Sequence, residues 1–474
     1  MKVADAPLYR CVSDRIRTLV ESGTYKTGDR LPSIRELSRQ MRVSVNTVKY
    51  AYDVLEAERV VEPRPQSGYY VSRRLPDVPV GPTIDLETLV PTEATTGAIA
   101  AQIHLDIGRP GFVALGAAIP PPEALPSVVL ARHLAREVQA HPHDSVSYRV
   151  PPGELKLREQ IAKHLVECGC LVSPDEILIT LGCQEAVMMA LLALCSPGDT
   201  VAIESPAYFS FIQQLERLKL NAIEIPTTPA EGISIEALEY ALEHERVNAC
   251  LLTANFSNPI GSLMSDRNKR RIVELLHHHG VPLIEDDVYG DLYFGDERPR
   301  TIKSYDERGE VLLCSSFSKT LCPGYRIGWI VPGKYHHQVE QTKMTLSIAT
   351  STPAQMAVAS FLASGSHVRT FRAARRLYSA NLEAVADAVG RYFPAGTCVT
   401  RPKGGMVLWV ELPPSFDSVI LYEQARRHGI SIAPGPIFSL TGKFRNCLRL
   451  NAAQWSSQVE DAIRTLGELA AEQC

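Results

Sequence analysis

Between residues 7 and 22, PLYRCVSDRIRTLVES places Leu8, Cys11, Val12, Ile16, Leu19 and Val20 at the three- and four-residue intervals of one helix face. Gly23 and the turn YKTGDRLP end that helix. Ser33-Ile34-Arg35-Glu36 is an S-x-x-E capping box, in which serine and glutamate side chains satisfy each other's free backbone N–H groups. It predicts a short helix to about Met41. Ser44 is placed to cap a third helix over 45–58, with Val48, Ala51, Tyr52 and Leu55 turned inward. VVEPRPQSGYYV (60–71) then alternates around a turn of Pro and Gly, the pattern of a β-hairpin. Three helices and a hairpin predict an N-terminal winged helix-turn-helix over 1–71.

The periodicity lapses over 72–101. Pro76, Pro79, Pro82 and Pro91 among small residues predict a linker, and a flexible coil of that length spans roughly 30 Å. From 102 to 474, short β-rich runs alternate with amphipathic helical stretches. The runs are ILIT (177–180), VAIES (201–205), AIEIP (222–226), CLLTAN (250–255), VPLIEDD (281–287), VLLCSSF (311–317) and RIGWIV (326–331). That alternation predicts an α/β fold with a mostly parallel sheet and helices on both faces. A smaller α/β lobe follows, with long helices through 333–390, a hairpin at 397–412 and a closing helix at 455–472.

Composition adds limits. With 45% hydrophobic and 22% charged residues the chain reads as a soluble protein. No apolar run approaches the roughly 18 residues of a membrane span, and MKVADAPLYR has no secretory h-region. The 11 cysteines are odd in number and scattered without C-x-x-C pairs, which fits reduced thiols in a cytoplasm. Residues 1–75 hold 14 Lys and Arg against 9 Asp and Glu; since the whole chain carries −4, residues 76–474 carry −9. A basic head on an acidic body predicts that only the head meets a polyanion. HHH (277–279) precedes Gly280 at a helix end, where imidazoles favour the C-terminal dipole; no metal site is expected.

The stretch SSFSKTLCPGYRIGW (315–329) carries the candidate chemistry. A pyridoxal 5'-phosphate site needs a lysine for the aldehyde, a carboxylate for the ring nitrogen, donors for the ring oxygen and a cup for the phosphate. Lys319 follows a strand and is the candidate lysine, although alone it would read as a solvated surface residue. Asp286 and Tyr289 in EDDVYG end another strand, spaced so that carboxylate and phenol reach neighbouring ring atoms. Asn258, in NFSNPIG, is placed to donate to the same oxygen. LGCQEAV (181–187) leads from strand to helix, so free N–H groups at Cys183 and Gln184 suit a phosphate. Ser316 and Ser318 add hydroxyls, Arg326 a guanidinium, and Tyr208 a ring to stack on the cofactor.

Together these residues resemble the fold-type I, subgroup I aminotransferases over 102–474. Y-x-x-P-x-G (148–153), N-P-x-G (258–261), D-x-x-Y (286–289) and S-x-S-K-x-x-x-x-x-x-R (316–326) occur in the family's order. The resemblance implies that Lys319 is the covalent attachment and that Asp286 serves the pyridine nitrogen. It gives the ring oxygen to Asn258 and Tyr289, and the phosphate to Cys183, Gln184, Ser316, Ser318 and Arg326. It further implies that Tyr148 reaches the phosphate of a neighbouring subunit, and that Arg449, in CLRLNAA, grips an effector or substrate carboxylate. Cys183 departs from the serine common in relatives.

The head resembles the winged helix-turn-helix of GntR regulators almost throughout. The resemblance implies that SVNTVKYAY enters the major groove of an operator with its first turn. Ser44, Asn46 and Thr47 would meet phosphates or base edges, Arg35 and Lys49 would supply charge, and Ser67-Gly68 would let the wing approach the backbone. Val45 stands where the family usually has Arg, which removes a guanine reader and favours apolar contact with a thymine methyl. Head, linker and body resemble the MocR subfamily, as does GAAIPPPEALP (116–126). That implies a head-to-tail homodimer and a transcriptional regulator that senses an amino acid or vitamin B6-related effector. The alternative is a working aminotransferase with an attached DNA-binding head.

Overall fold

The computed structural model describes residues 7–21, 24–26, 28–57, 60–64, 67–72, 76–79, 81, 86, 89–94 and 97–473. It forms two compact units, one of Met1–Pro76 with Val389–Arg391 and a second made of Asp77–Ala388 and Tyr392–Cys474.

The first unit has helices α1 (Leu8–Glu21), α2 (Ile34–Met41) and α3 (Val45–Ala57), then strands β1 (Val61–Arg64) and β2 (Gly68–Val71) paired antiparallel. The capping box forms: Ser33 Oγ accepts from the Glu36 N–H at 3.3 Å, and Glu36 returns a carboxylate to the Ser33 N–H at 3.4 Å. Arg42, at φ 54°, ends α2 and turns the chain into α3. Val12, Ile16, Leu37, Val48, Ala51, Tyr52 and Leu55 make the core. Tyr52 fastens the hairpin to the helices. Its hydroxyl donates to the Pro32 carbonyl at 2.6 Å, and its ring stacks on Tyr69 at 4.4 Å.

The body is built on β3 (Leu178–Thr180), β4 (Thr200–Ser205), β5 (Asn221–Thr228), β6 (Ala249–Leu252), β7 (Leu283–Asp286), β8 (Val311–Ser316) and β9 (Gly328–Val331). Their order across the sheet is β5-β4-β6-β7-β8-β9-β3. Neighbours run parallel except β9, which is antiparallel to both of its own. Helices cover both faces, so the strands are apolar on both sides. Val201 and Ile203 of β4 join one apolar cluster, and Ala202 joins the one on the other face. A second sheet, β10 (Cys398–Val399), β11 (Val407–Glu411), β12 (Ala433–Pro434) and β13 (Cys447–Asn451), forms the smaller lobe in the order β10-β11-β13-β12. Among the described residues no helix is long and apolar enough to cross a membrane.

The expectation of a free coil over 72–101 does not describe its second half. Thr92–Glu93 adds an antiparallel edge to β5, and helix α4 (Ala98–Leu105) starts before residue 102. Leu89, Ala94 and Ala100 are buried, at 3%, 3% and 1% exposure. Three isolated apolar residues make no period, yet each finds a complementary surface on the body.

Candidate functional site

In an open α/β sheet, loops at the carboxyl ends of parallel strands converge on one crevice. Here the ends of β4, β7 and β8 face the start of helix α5 (Cys183–Leu194) across a cavity. Lys319, Asp286, Tyr289, Asn258 and Tyr208 line it. So do Cys183, Gln184, Ser316, Ser318 and Arg326. Tyr148 does not; it stands 79% exposed on the surface.

One end of the cavity is suited to an anion. The backbone N–H groups of the first turn of α5 have no partner within the helix. Gly182 precedes them at φ +97°, and a Cβ there would lie 2.5 Å from Arg326 Nη2, so glycine is what lets the guanidinium close on the turn. Arg326 donates to the Leu181 carbonyl at 2.7 Å and to Ser318 Oγ at 3.2 Å. Ser316 Oγ accepts from the Ser318 N–H at 3.3 Å, which fixes the turn that carries Lys319.

The opposite end is suited to a cation. Asp286 is 6% exposed, and burial pushes its carboxyl up to about 6. Cys183 Sγ at 3.2 Å and the Val288 N–H at 3.0 Å both donate to Oδ1. Oδ2 has no protein donor among the described residues, and a buried carboxylate left so calls for a protonated partner. The ring of Tyr289 is 5.7 Å from Lys319 Nζ, and burial raises its phenol well above the ordinary value. Burial and the Arg449 charge bring the Lys319 amine down to about 8. Arg326 at one end, Asp286 at the other and Lys319 between them fit the phosphate, ring nitrogen and aldehyde of pyridoxal phosphate. Cys183 fits as well as serine here, because its contribution is a backbone N–H and a thiol hydrogen bond to Asp286.

Arg449 lies behind the cavity wall, fully buried on β13. It donates to Asn258 Oδ1 at 3.1 Å and to the Gly116 carbonyl. Sequence reasoning did not foresee what the strap Leu115–Ile119 does. Its Ala118 carbonyl accepts from Lys319 Nζ at 2.6 Å, so one short segment engages both Lys319 and Arg449. Gly116 permits this, since a Cβ would meet the Ile432 carbonyl at 2.8 Å. Asn451 clamps the strap through Leu115 at 2.7 Å and Ile119 at 3.0 Å. The residues GAAI held the signal, but no spacing rule connects them to positions more than 200 residues away. Ser210, Gln214 and Thr253 also line the cavity and were missed for the same reason.

In the head, Arg35, Ser44, Asn46, Lys49 and Gly68 are exposed, while Thr47 and Ser67 are half-buried. Ser44 Oγ caps α3 through the Thr47 N–H at 3.0 Å, so its oxygen is partly committed to the helix. Val45 is 49% exposed and Tyr50 55%, an apolar pair on the opening turns of α3. Arg39 and Arg42 are exposed too and extend the basic surface along α2. His277 Nδ1 pairs with Glu310 at 2.8 Å, and no group of metal-binding side chains occurs among the described residues.

Fold and site together define a winged-helix head joined to a fold-type I aminotransferase body. Residues 113–466 match the family model for aminotransferase class I and II, and residues 8–71 match that for bacterial regulatory proteins of the gntR family. The chain belongs to the GntR-type regulators with a class I and II aminotransferase body, the arrangement of the MocR subfamily. It is 40% identical to the uncharacterized HTH-type transcriptional regulator YjiR of Escherichia coli, over 97% of this chain and 98% of that one. The 2-aminoadipate transaminase of Thermus thermophilus is 32% identical over 76% of this chain and 90% of its own. The crystal structure of LysN, an alpha-aminoadipate aminotransferase of Thermus thermophilus complexed with N-(5'-phosphopyridoxyl)-L-leucine, superposes with TM-score 0.73. At 28% identity that match covers 80% of this chain and 97% of the other.

Proposed function

We propose that this regulator holds pyridoxal 5'-phosphate at Lys319, senses an amino acid or vitamin B6-related effector there, and converts that event into a change in operator binding. The observation that supports the reading most is the strap Leu115–Ile119. It engages both Lys319 and Arg449, and it follows α4, which in turn follows the segment leading from the head.

When bound, the cofactor supplies an aldehyde that condenses reversibly with primary amines. Asp286, with its carboxyl at about 6, is ionised near neutral pH and accepts from a protonated ring nitrogen. Asn258 and Tyr289 would donate to the ring oxygen, while α5, Ser316, Ser318 and Arg326 would hold the phosphate. Tyr208 packs on Phe211 at 5.4 Å, which would hold its ring ready to stack on the cofactor. Lys319, at about 8, has a sizeable uncharged fraction near neutrality, the form that can act as nucleophile or take a proton. Arg449 exchanges the Gly116 carbonyl for the effector's carboxylate, a bidentate and stronger partner. The strap is released as a result.

In the same reading the chain works in the cytoplasm as a head-to-tail homodimer on double-stranded operator DNA, with Tyr148 completing a neighbouring subunit's phosphate site. Arg35, Ser44, Asn46, Thr47, Lys49, Ser67 and Gly68 form the DNA surface. The second reading, a working aminotransferase, is favoured by the lowered Lys319 amine and the retained Arg449. Titrating each amino acid into the cofactor-loaded protein, following visible absorbance and operator affinity together, separates the two. A spectral change that alters operator affinity without consuming a 2-oxo acid supports the sensor. Steady turnover with unchanged DNA affinity supports the enzyme.

A further inference from the structure

A second cleft, of about 580 Å³, opens where Val166–Gly169 and residues 293–300 face the first turns of helix α6 (Ser366–Tyr392). Its floor is Arg298, 8% exposed. Nη2 of that guanidinium pairs with Asp287 at 2.6 Å and Nε with Asp291 at 2.7 Å, while Nη1 has only the Pro299 carbonyl at 3.4 Å. Asp291 is used a second time, by His164 at 3.0 Å. The carboxylates beneath the cleft are therefore already committed.

Three more arginines stand in the walls. Gly169, at φ +82°, has no side chain to keep Arg300 away; a Cβ would lie 2.7 Å from its Nη2. Arg375 lies over the Tyr293 ring at 4.1 Å and donates to the Asp291 carbonyl at 3.3 Å. Arg372 is exposed and has no hydrogen-bonding or ionic partner among the described residues. Among the described residues no carboxylate is bonded to any of these three. The acidic lining residues, Glu167 and Glu297, are exposed, and Glu167 sits 3.9 Å from His164 Nδ1. Phe371 and Val368 add an apolar side.

Guanidinium groups held by stacking on an aromatic ring and resting on a glycine lose little freedom when they take a planar or tetrahedral oxyanion. We propose that this cleft is a second ligand site, for a small metabolite carrying a phosphate or at least two carboxylates, held by Arg300, Arg372 and Arg375 over Arg298. It is separate from the cofactor cavity and does not rest on the sensing role given to Lys319. Asp287 joins the two regions, because it neutralises Arg298 and immediately follows the cofactor-facing Asp286.

The test uses the full chain loaded with cofactor, so that the phosphate cup at α5 is already filled. Inorganic pyrophosphate and citrate are titrated calorimetrically at constant ionic strength. The expected result is saturable binding of at least one probe, one per chain. It weakens about tenfold in Arg372→Gln, the loss of one charge-assisted hydrogen-bonding group. Arg372 makes no bond that the fold needs, and Arg300→Gln gives an independent second variant. Preference for pyrophosphate identifies a phosphate ligand and preference for citrate a polycarboxylate. No saturable binding by either probe, or binding as strong in both variants as in the unmutated chain, overturns the proposal.

Discussion

The Lys319 amine donates to the Ala118 carbonyl at 2.6 Å, across 201 positions of sequence. The same strap holds Arg449 two residues earlier, at Gly116. A ligand that takes either partner removes one of two tethers on a segment continuous with the chain leading from the head. Ligand-driven change of this kind is limited by the difference in affinity between tethered and released states.

Lys319→Ala should leave the fold intact and abolish cofactor that borohydride reduction fixes to the protein. Lys319 is the lysine that lines the cavity, so the peptide containing residue 319 should carry the added mass in the unmutated protein. Fixed cofactor persisting in the variant would place the attachment elsewhere.

Asp286 should make the cofactor-free protein sensitive to acid in a defined direction. Its folded value of about 6 lies above the ordinary 3.8, so the folded state binds the proton more tightly. Its burial therefore costs nothing below about pH 4, and the cost grows as pH rises to about 6, reaching about 3 kcal/mol. Asp286→Asn should melt higher than the unmutated apoprotein at pH 7.5 and equally at pH 4, while binding cofactor more weakly. The Asn side-chain oxygen can still accept from Cys183 and Val288. Equal melting at both pH values would show that the carboxyl is not desolvated.

Arg449→Ala should leave operator affinity without effector nearly unchanged and remove the effector's influence on it. The measurement is DNA affinity of both proteins with and without the amino acid that changes the absorbance. A full response in the variant at the same ligand concentration would move the carboxylate site away from β13.

Binding by the head should weaken steeply with salt, because neutralised phosphates release counterions. Arg35→Ala and Lys49→Ala should each reduce the log–log salt slope by about one, with little effect on sequence preference. Val45→Ala should instead change preference at one base step, since Val45 has no charge to contribute and 49% of its surface is exposed. Specific operator binding of full strength by residues 102–474 alone would contradict all three.

Short-range patterns made much of this protein legible. The capping box at Ser33, the inward face of α3 and the seven β-rich runs of the body are all signals spanning fewer than about fifteen residues, and each became the expected element. Ten of the cavity-lining residues were also readable, because each lies beside the end of a strand and parallel strands deliver such positions to one crevice. Only the tertiary structure decided the relations between distant segments. The strap meets Lys319 and Arg449 through backbone carbonyls, which every residue has and no motif marks. Arg449 lies behind the cavity rather than in its lining, because β13 is buried within the smaller lobe. The arginine cleft joins residues near 167, 298 and 372, each unremarkable in its own stretch. Thr92–Glu93 takes the sheet's edge because an unpaired edge of β5 offers it hydrogen bonds, a demand set by the assembled sheet and absent from the local sequence.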